Sequence, residues 1–192
     1  MFPNDELQRD ACLKFVARNI PGLHVGGKTA LAWRGVQHNL LPRERLNLWG
    51  DARAKLPKWF TGRFPSRYTS KSLFSKRLPG GFGLQPLPET PDGPLVSVPE
   101  RALLEMLSEV GLQQGVEEAR NIMEGVRSVR SEVLDTLLKN CLRVKVIRLC
   151  VQWAEELNLD WAAAARNSAR RKLGKSRWSA RLKDGTTLTL KP

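Results

Sequence analysis

Apolar and polar residues alternate along this chain with two different periods, and the change from one period to the other predicts where helices give way to strands. Leu7, Ala11, Phe15 and Val16 fall at i, i+4, i+8 and i+9, one face of a helix expected over Asn4 to Asn19 and ended by Pro21-Gly22. The extended piece Leu23-His24-Val25 leads through Gly26-Gly27 into a second expected helix, Lys28 to Arg34, closed by Gly35. Leu46, Leu48 and Trp49 suggest a strand, and another is expected near Ser72–Lys76. Between Thr61 and Pro94 lie six prolines and five glycines. An unstructured loop of that length is uncommon in a compact domain, so Leu84–Pro94 is expected to link two lobes.

The middle of the chain is helical by the same criterion. Ser97-Val98-Pro99-Glu100 has the form of a capping box, with a hydroxyl and a carboxylate spaced to satisfy the free N–H groups of a first turn. Leu103, Leu104, Leu107 and Val110 then make a buried stripe. Further helices are expected over Val116–Val126, Ser131–Asn140 and Val144–Leu157. The last of these is apolar almost all round and belongs at the centre of a bundle. Near the end the period falls to two: Trp178, Ala180 and Leu182 alternate with Arg177, Ser179, Arg181 and Lys183. A three-residue connection, Lys183-Asp184-Gly185, keeps Ala180 opposite Leu188 and Trp178 opposite Leu190 on one apolar face, a hairpin with a G1 bulge.

These elements predict an α+β fold, mostly helical. It has a small mixed sheet near an N-terminal lobe (1–94), a helical middle over about 97–157, and a C-terminal β-hairpin that completes a second lobe (95–192). The length of 192 residues suffices for a real core, and the 41% apolar and 27% charged fractions are those of a globular chain. No apolar run approaches a bilayer span, and the N-terminus lacks the apolar stretch of a signal peptide, so a cytoplasmic location is expected. Cys12, Cys141 and Cys150 are odd in number and lack CxxC spacing, which leaves buried reduced thiols as the expectation.

Charge separates the chain more sharply than composition does. Its net charge is +13, distributed as +8 over residues 1–95, −3 over 96–160 and +8 over 161–192. Two basic flanks around a near-neutral middle attract polyanions, nucleic acid first and then acidic protein surfaces. The densest cluster is Arg166, Arg170, Arg171, Lys172, Lys175, Arg177 and Arg181, almost free of acids. Together with Lys28 and Arg34 these are the candidate partner- or nucleic-acid-binding residues. A basic-aromatic stretch holding Lys58, Trp59, Phe60, Arg63, Phe64, Arg67, Tyr68, Lys71 and Phe74 admits two readings: bases stacked on rings, or core anchors beside solvated cations.

Catalytic chemistry has little support. Residues 22–29, from Gly22 through Gly27-Lys28-Thr29, fit the GxxxxGK[ST] phosphate-loop pattern. That loop follows a buried strand, whereas Gly22 follows an amphipathic helix and a proline, and no apolar run ending in Asp supplies the second magnesium ligand. A tight strand-to-helix turn is the better reading of Gly26-Gly27. His24 and His38 are the only histidines and have no further ligand at suitable spacing. A binding protein without enzymatic activity, metal or cofactor is therefore expected.

Several stretches together resemble one family. The run from Leu23-His24-Val25 to Leu31, then His38-Asn39-Leu40, then Leu56-Pro57-Lys58-Trp59-Phe60 resembles the start of the antitoxin domain of AbiEi-type proteins, the antitoxins of type IV toxin–antitoxin systems. The run from Val98 to Glu105 resembles the next block. Leu137-Leu138, Cys141, Val144-Lys145, Arg148-Leu149, Trp161, Leu173-Gly174-Lys175 and Arg177 resemble the C-terminal part. The resemblance implies an antitoxin of an abortive-infection system that antagonises a nucleotidyltransferase-like toxin without needing a stable complex. DNA is a further implied partner, through transcriptional regulation; a stand-alone nucleic-acid-binding protein using both basic flanks is the alternative. Such proteins usually open with a winged helix-turn-helix, which this chain is expected to lack, because it begins within the helix before the His-Val-Gly-Gly block.

Overall fold

A computed structural model of the chain describes residues 8–36, 45–174, 177–181, 185 and 187–191. The described elements run α1 (Arg9–Ala17), β1 (His24–Val25), α2 (Gly27–Trp33), β2 (Leu46–Trp49), α3 (Lys58–Arg63), β3 (Ser66–Thr69), β4 (Leu84–Gln85) and β5 (Val96–Ser97). They continue with α4 (Pro99–Ser108), α5 (Val116–Glu124), α6 (Ser131–Asn140), α7 (Val144–Glu156), α8 (Ala162–Ala169), β6 (Trp178–Arg181) and β7 (Thr187–Leu190). The α+β class, with helices dominant and a small mixed sheet, is as the hydrophobic pattern predicts.

The sheet has the order β3-β2-β1-β5-β4. β1 pairs antiparallel with β2 and parallel with β5, β2 pairs parallel with β3, and β4 pairs antiparallel with β5. The two-residue strand β1 is central and both of its residues are buried, the polar His24 as well as Val25. α2 packs on α4, and α4 on α7, so strands from the start of the chain and helices from its middle share one core. Leu31, Leu48, Phe60, Leu103, Leu104 and Leu107 lose all their exposure there.

The helical half follows its apolar stripes. α7 buries Val146 through Val151, then Trp153 and Ala154, with Leu149 and Cys150 at zero exposure. α8 covers it with small residues, Ala165 and Ala169, which let the two backbones approach. Trp161 enters the core just before α8 and donates its indole N–H to the Val126 carbonyl at 2.8 Å. The terminal hairpin has the predicted register, Trp178 opposite Leu190 and Ala180 opposite Leu188, and Gly185 takes φ +84°. Its expected turn residues Lys183 and Asp184 lie outside the described residues. β7 lies against α7 and buries Leu190 completely.

Two local expectations are corrected. The third strand is Ser66–Thr69, not Ser72–Lys76; in the latter stretch the described ladder is a single bridge between Phe74 and Cys141. Leu84–Gln85 forms the edge strand β4. The capping box does not form: Val98 caps α4 with no side-chain bond. The Ser97 hydroxyl donates to Glu105 at 2.8 Å, and Glu100 takes Arg130 through Nε and Nη2, each at 3.0 Å. Charge-assisted bonds to a buried carboxylate are stronger than a neutral cap, so both residues are drawn away from the helix end.

Candidate functional site: the glycine turn and the basic faces

The phosphate-loop-like segment is occupied from within. Gly26 is extended and caps α2, and Gly27, its first residue, takes φ +55°, a left-handed conformation that favours glycine. The Gly27 N–H donates to Oε2 of Glu105 at 3.0 Å. The second oxygen of Glu105, Oε1, accepts from Nε2 of His24 at 3.0 Å and from Nε of Arg101 at 2.9 Å. Nδ1 of His24 faces the Gly22 carbonyl at 2.7 Å, so each ring nitrogen lies against an oxygen. A Cβ on Gly26 would overlap the Glu105 carboxylate and come within 2.6 Å of Cδ1 of Trp49. The glycines thus admit a carboxylate into the place where a phosphate loop holds its ligand. Burial raises the Glu105 pKa, but the His24 and Arg101 cations and their hydrogen bonds outweigh it and bring it down to about 2.

The remaining residues of the motif are also committed inside the protein. Thr29 is fully buried, and its hydroxyl accepts the backbone N–H of Asn47 at 3.0 Å. Lys28 reaches Glu118 on α5 at 3.0 Å. Among the described residues no group of three or more His, Cys, Asp or Glu side chains is placed to hold a metal.

The candidate cations divide into two sets. Arg34 donates from Nε to the Ser97 carbonyl (2.8 Å) and from Nη2 to the Gln85 and Val96 carbonyls (each 3.2 Å), tying the end of α2 to β4 and β5. Arg166 pairs with Glu155, and Lys172 donates to the carbonyls of Lys139 (2.5 Å) and Cys141 (2.8 Å) at the end of α6. By contrast Arg170, Arg171, Arg177 and Arg181 are exposed, and none forms an ion pair with a described residue. Lys175 lies outside the described residues.

The basic-aromatic stretch splits as well. Phe60 is wholly buried and Phe64 packs on it at 5.5 Å, while Trp59 stays 45% exposed, edge-on to an exposed Phe15 at 6.1 Å. Arg67 is bound to Glu109. Sequence reasoning missed Glu105 as the anion at the glycine turn. It lies 78 residues away from Gly27, and its helical spacing from Arg101 reads only as a surface pair.

Comparison with known families decides the broader question. Residues 43–189 match the model described as transcriptional regulator, AbiEi antitoxin, type IV TA system. The chain belongs to the AbiEi antitoxin family. Residues 1–41 match the model described as transcriptional regulator, AbiEi antitoxin N-terminal domain, so the family's N-terminal domain is present and the expected lack of an opening winged helix-turn-helix is not confirmed. The described part of that segment contains α1, β1 and α2, and β1 forms the middle of the sheet, so this AbiEi-family chain builds its N-terminal segment into the common core. A comparison with curated proteins found no match. Among the described residues no helix is long and apolar enough to cross a membrane.

Proposed function

We propose that this chain is the antitoxin of a type IV pair, that it counters a nucleotidyltransferase-like toxin without a stable complex, and that Arg170, Arg171, Arg177 and Arg181 form its working face. The observation that carries the placement is the sorting of cations: the internal partners claim Lys28, Arg34, Arg166 and Lys172, and these four arginines remain available to an outside polyanion. They lie within the stretch that matches the family. Arginines presented without competing acids suit an acidic protein surface or a phosphate backbone.

Growth rescue tests the reading. The neighbouring toxin candidate is expressed alone, with this chain, and with the R170E/R171E variant. Rescue by the parent and its loss in the variant, with unchanged thermal unfolding, are the expected results. Rescue that survives reversal of all four arginines rejects this face, and absence of rescue by a folded parent rejects the antitoxin role. In the latter case binding to DNA is measured against salt. A steep fall of log K with log salt, with a slope of about −0.9 per phosphate neutralised, would favour the nucleic-acid alternative.

A further inference from the structure

One pair of rings has no place in the core. Phe15 on α1 is 54% exposed and Trp59 on α3 is 45% exposed, although Phe60 next to Trp59 is wholly buried. The two exposed rings meet at 6.1 Å with an angle of 62° between their planes. Trp59 also packs at 88° to Phe60, 5.8 Å away, so a core residue anchors the exposed indole. Single apolar side chains at a surface are ordinary, but two large rings from different elements held together in water mark an interaction site.

The charges beside these rings are of one sign. Gly62 and Arg63 follow Trp59 by three and four residues and share its face of α3, and Gly62 has open space beside it. Arg18 follows Phe15 by three residues at the helical end of α1. Arg18, Lys58 and Arg63 are exposed, and none forms an ion pair with a described residue. Lys14 is different, because it donates to the Asp92 carbonyl at 2.6 Å, and so is Arg9, which pairs with Asp10 and lies over the Trp33 ring. Between Asp51 and Glu89 the chain carries eight Lys and Arg residues and no acid. An anionic partner therefore meets little local repulsion there.

We propose that Phe15 and Trp59 form a stacking platform for the unpaired bases of a single-stranded nucleic acid, whose phosphates are held by Arg18, Lys58 and Arg63. The tilt of the rings favours a single strand over a duplex. Two planes 62° apart cannot both stack on bases that remain parallel to each other, so successive bases must splay, as only unpaired ones do. Every base offers a π face, so binding by stacking tolerates changes of sequence. The platform uses none of the arginines of the proposed antitoxin face, and its test involves no toxin.

The full chain is titrated with labelled oligo(dT) and oligo(U), with a duplex of the same length, and with polyglutamate, following fluorescence anisotropy and intrinsic tryptophan emission. The single strands are expected to bind and to quench tryptophan. Trp59→Leu and Phe15→Leu, which keep apolar bulk but lose the π face, should each weaken binding about tenfold. Neither should alter the dependence on salt, whereas Lys58→Ala and Arg63→Ala should each reduce the slope of log K against log salt by about 0.7. Because the other basic face also attracts polyanions, the deciding quantity is the difference between the parent and the ring variants. Tighter binding of oligo(U) assigns the platform to RNA, tighter binding of oligo(dT) assigns it to DNA, and equal binding assigns it to single strands of both kinds. The proposal is overturned if neither single strand binds, if the duplex or polyglutamate binds as tightly, or if both ring variants bind like the parent. Should Trp59→Leu fail to fold, Phe15→Leu decides by anisotropy: unchanged affinity rejects the platform.

Discussion

Replacing Glu105 by Gln tests the buried hub most directly. The carboxylate has two oxygens and four donors: His24 and Arg101 on one, Gly27 N–H and the Ser97 hydroxyl on the other. A glutamine of the same shape keeps one acceptor and turns an NH₂ toward groups of which only the Ser97 hydroxyl and a His24 ring protonated on Nδ1 can accept; Arg101 and the Gly27 N–H cannot. The Arg101 guanidinium also loses its counter-charge. Breaking one partner of a buried, hydrogen-bonded pair costs about 3–5 kcal/mol. For a chain of this length that is a fall in Tm of roughly 10–15 °C.

The acid limb gives an independent measure of the same interaction. The Glu105 carboxyl is held at about 2, below its ordinary value near 4.5, so its contribution is fully present above pH 4.5 and is lost as pH falls toward 2. A depression of that size corresponds to about 3 kcal/mol. Glu105→Gln lacks this titration, whereas other carboxyls such as Glu100, depressed because Arg130 outweighs its burial, titrate in both proteins and cancel. Urea denaturation of parent and variant between pH 7 and pH 3 measures the gap between them. The gap should be several kcal/mol at pH 7 and narrow steadily below pH 4.5. A gap under about 1 kcal/mol at pH 7, or one that stays constant down to pH 3, would refute the hub as the anchor of the glycine turn.

Other consequences follow from where the remaining groups sit. Lys28→Ala removes a half-exposed pair with Glu118 and should cost less than about 1 kcal/mol by urea denaturation; measurable ATP affinity in the parent would contradict the internal-anion reading of the glycine turn. Arg34→Ala should lower stability by about 2 kcal/mol through its lost carbonyl bonds, so any loss of toxin rescue in that variant tracks unfolding and disappears at lower growth temperature. Burial raises the thiol pKa of Cys141 and Cys150, and Cys12 is covered too; iodoacetamide at neutral pH should label none of the three in the native protein and all three in denaturant.

Helix positions were legible wherever one face is apolar over several turns. Ser131–Asn140 has the predicted ends, and Val144–Glu156 stops one residue short of them. The hairpin register was legible because a shift of one residue would turn Leu188 and Leu190 to the wrong side. The misses share a physical cause. β3 is Ser-Arg-Tyr-Thr, a polar edge strand whose place is set by its parallel partner β2, and α8 is an alanine-rich helix whose buried side chains are too small to mark a stripe. Neither carries its partner in its own local pattern.

The same reasoning separates the two kinds of charged site. A glycine pair before a short helix presents backbone N–H groups to whatever anion meets them, and local sequence specifies those donors but not the anion. Here Glu105 arrives from another element and fills the place, which turns a phosphate-loop pattern into a structural joint between α2 and α4. The basic clusters behave alike: Arg166 and Lys172 sit in the densest run of cations, yet one is claimed by Glu155 and the other by carbonyls at the end of α6. A cation becomes a candidate for an outside partner only after the folded chain has had first claim on it. By that criterion the exposed face at Arg170 and Arg171 stands apart from Lys28, Arg34, Arg166 and Lys172.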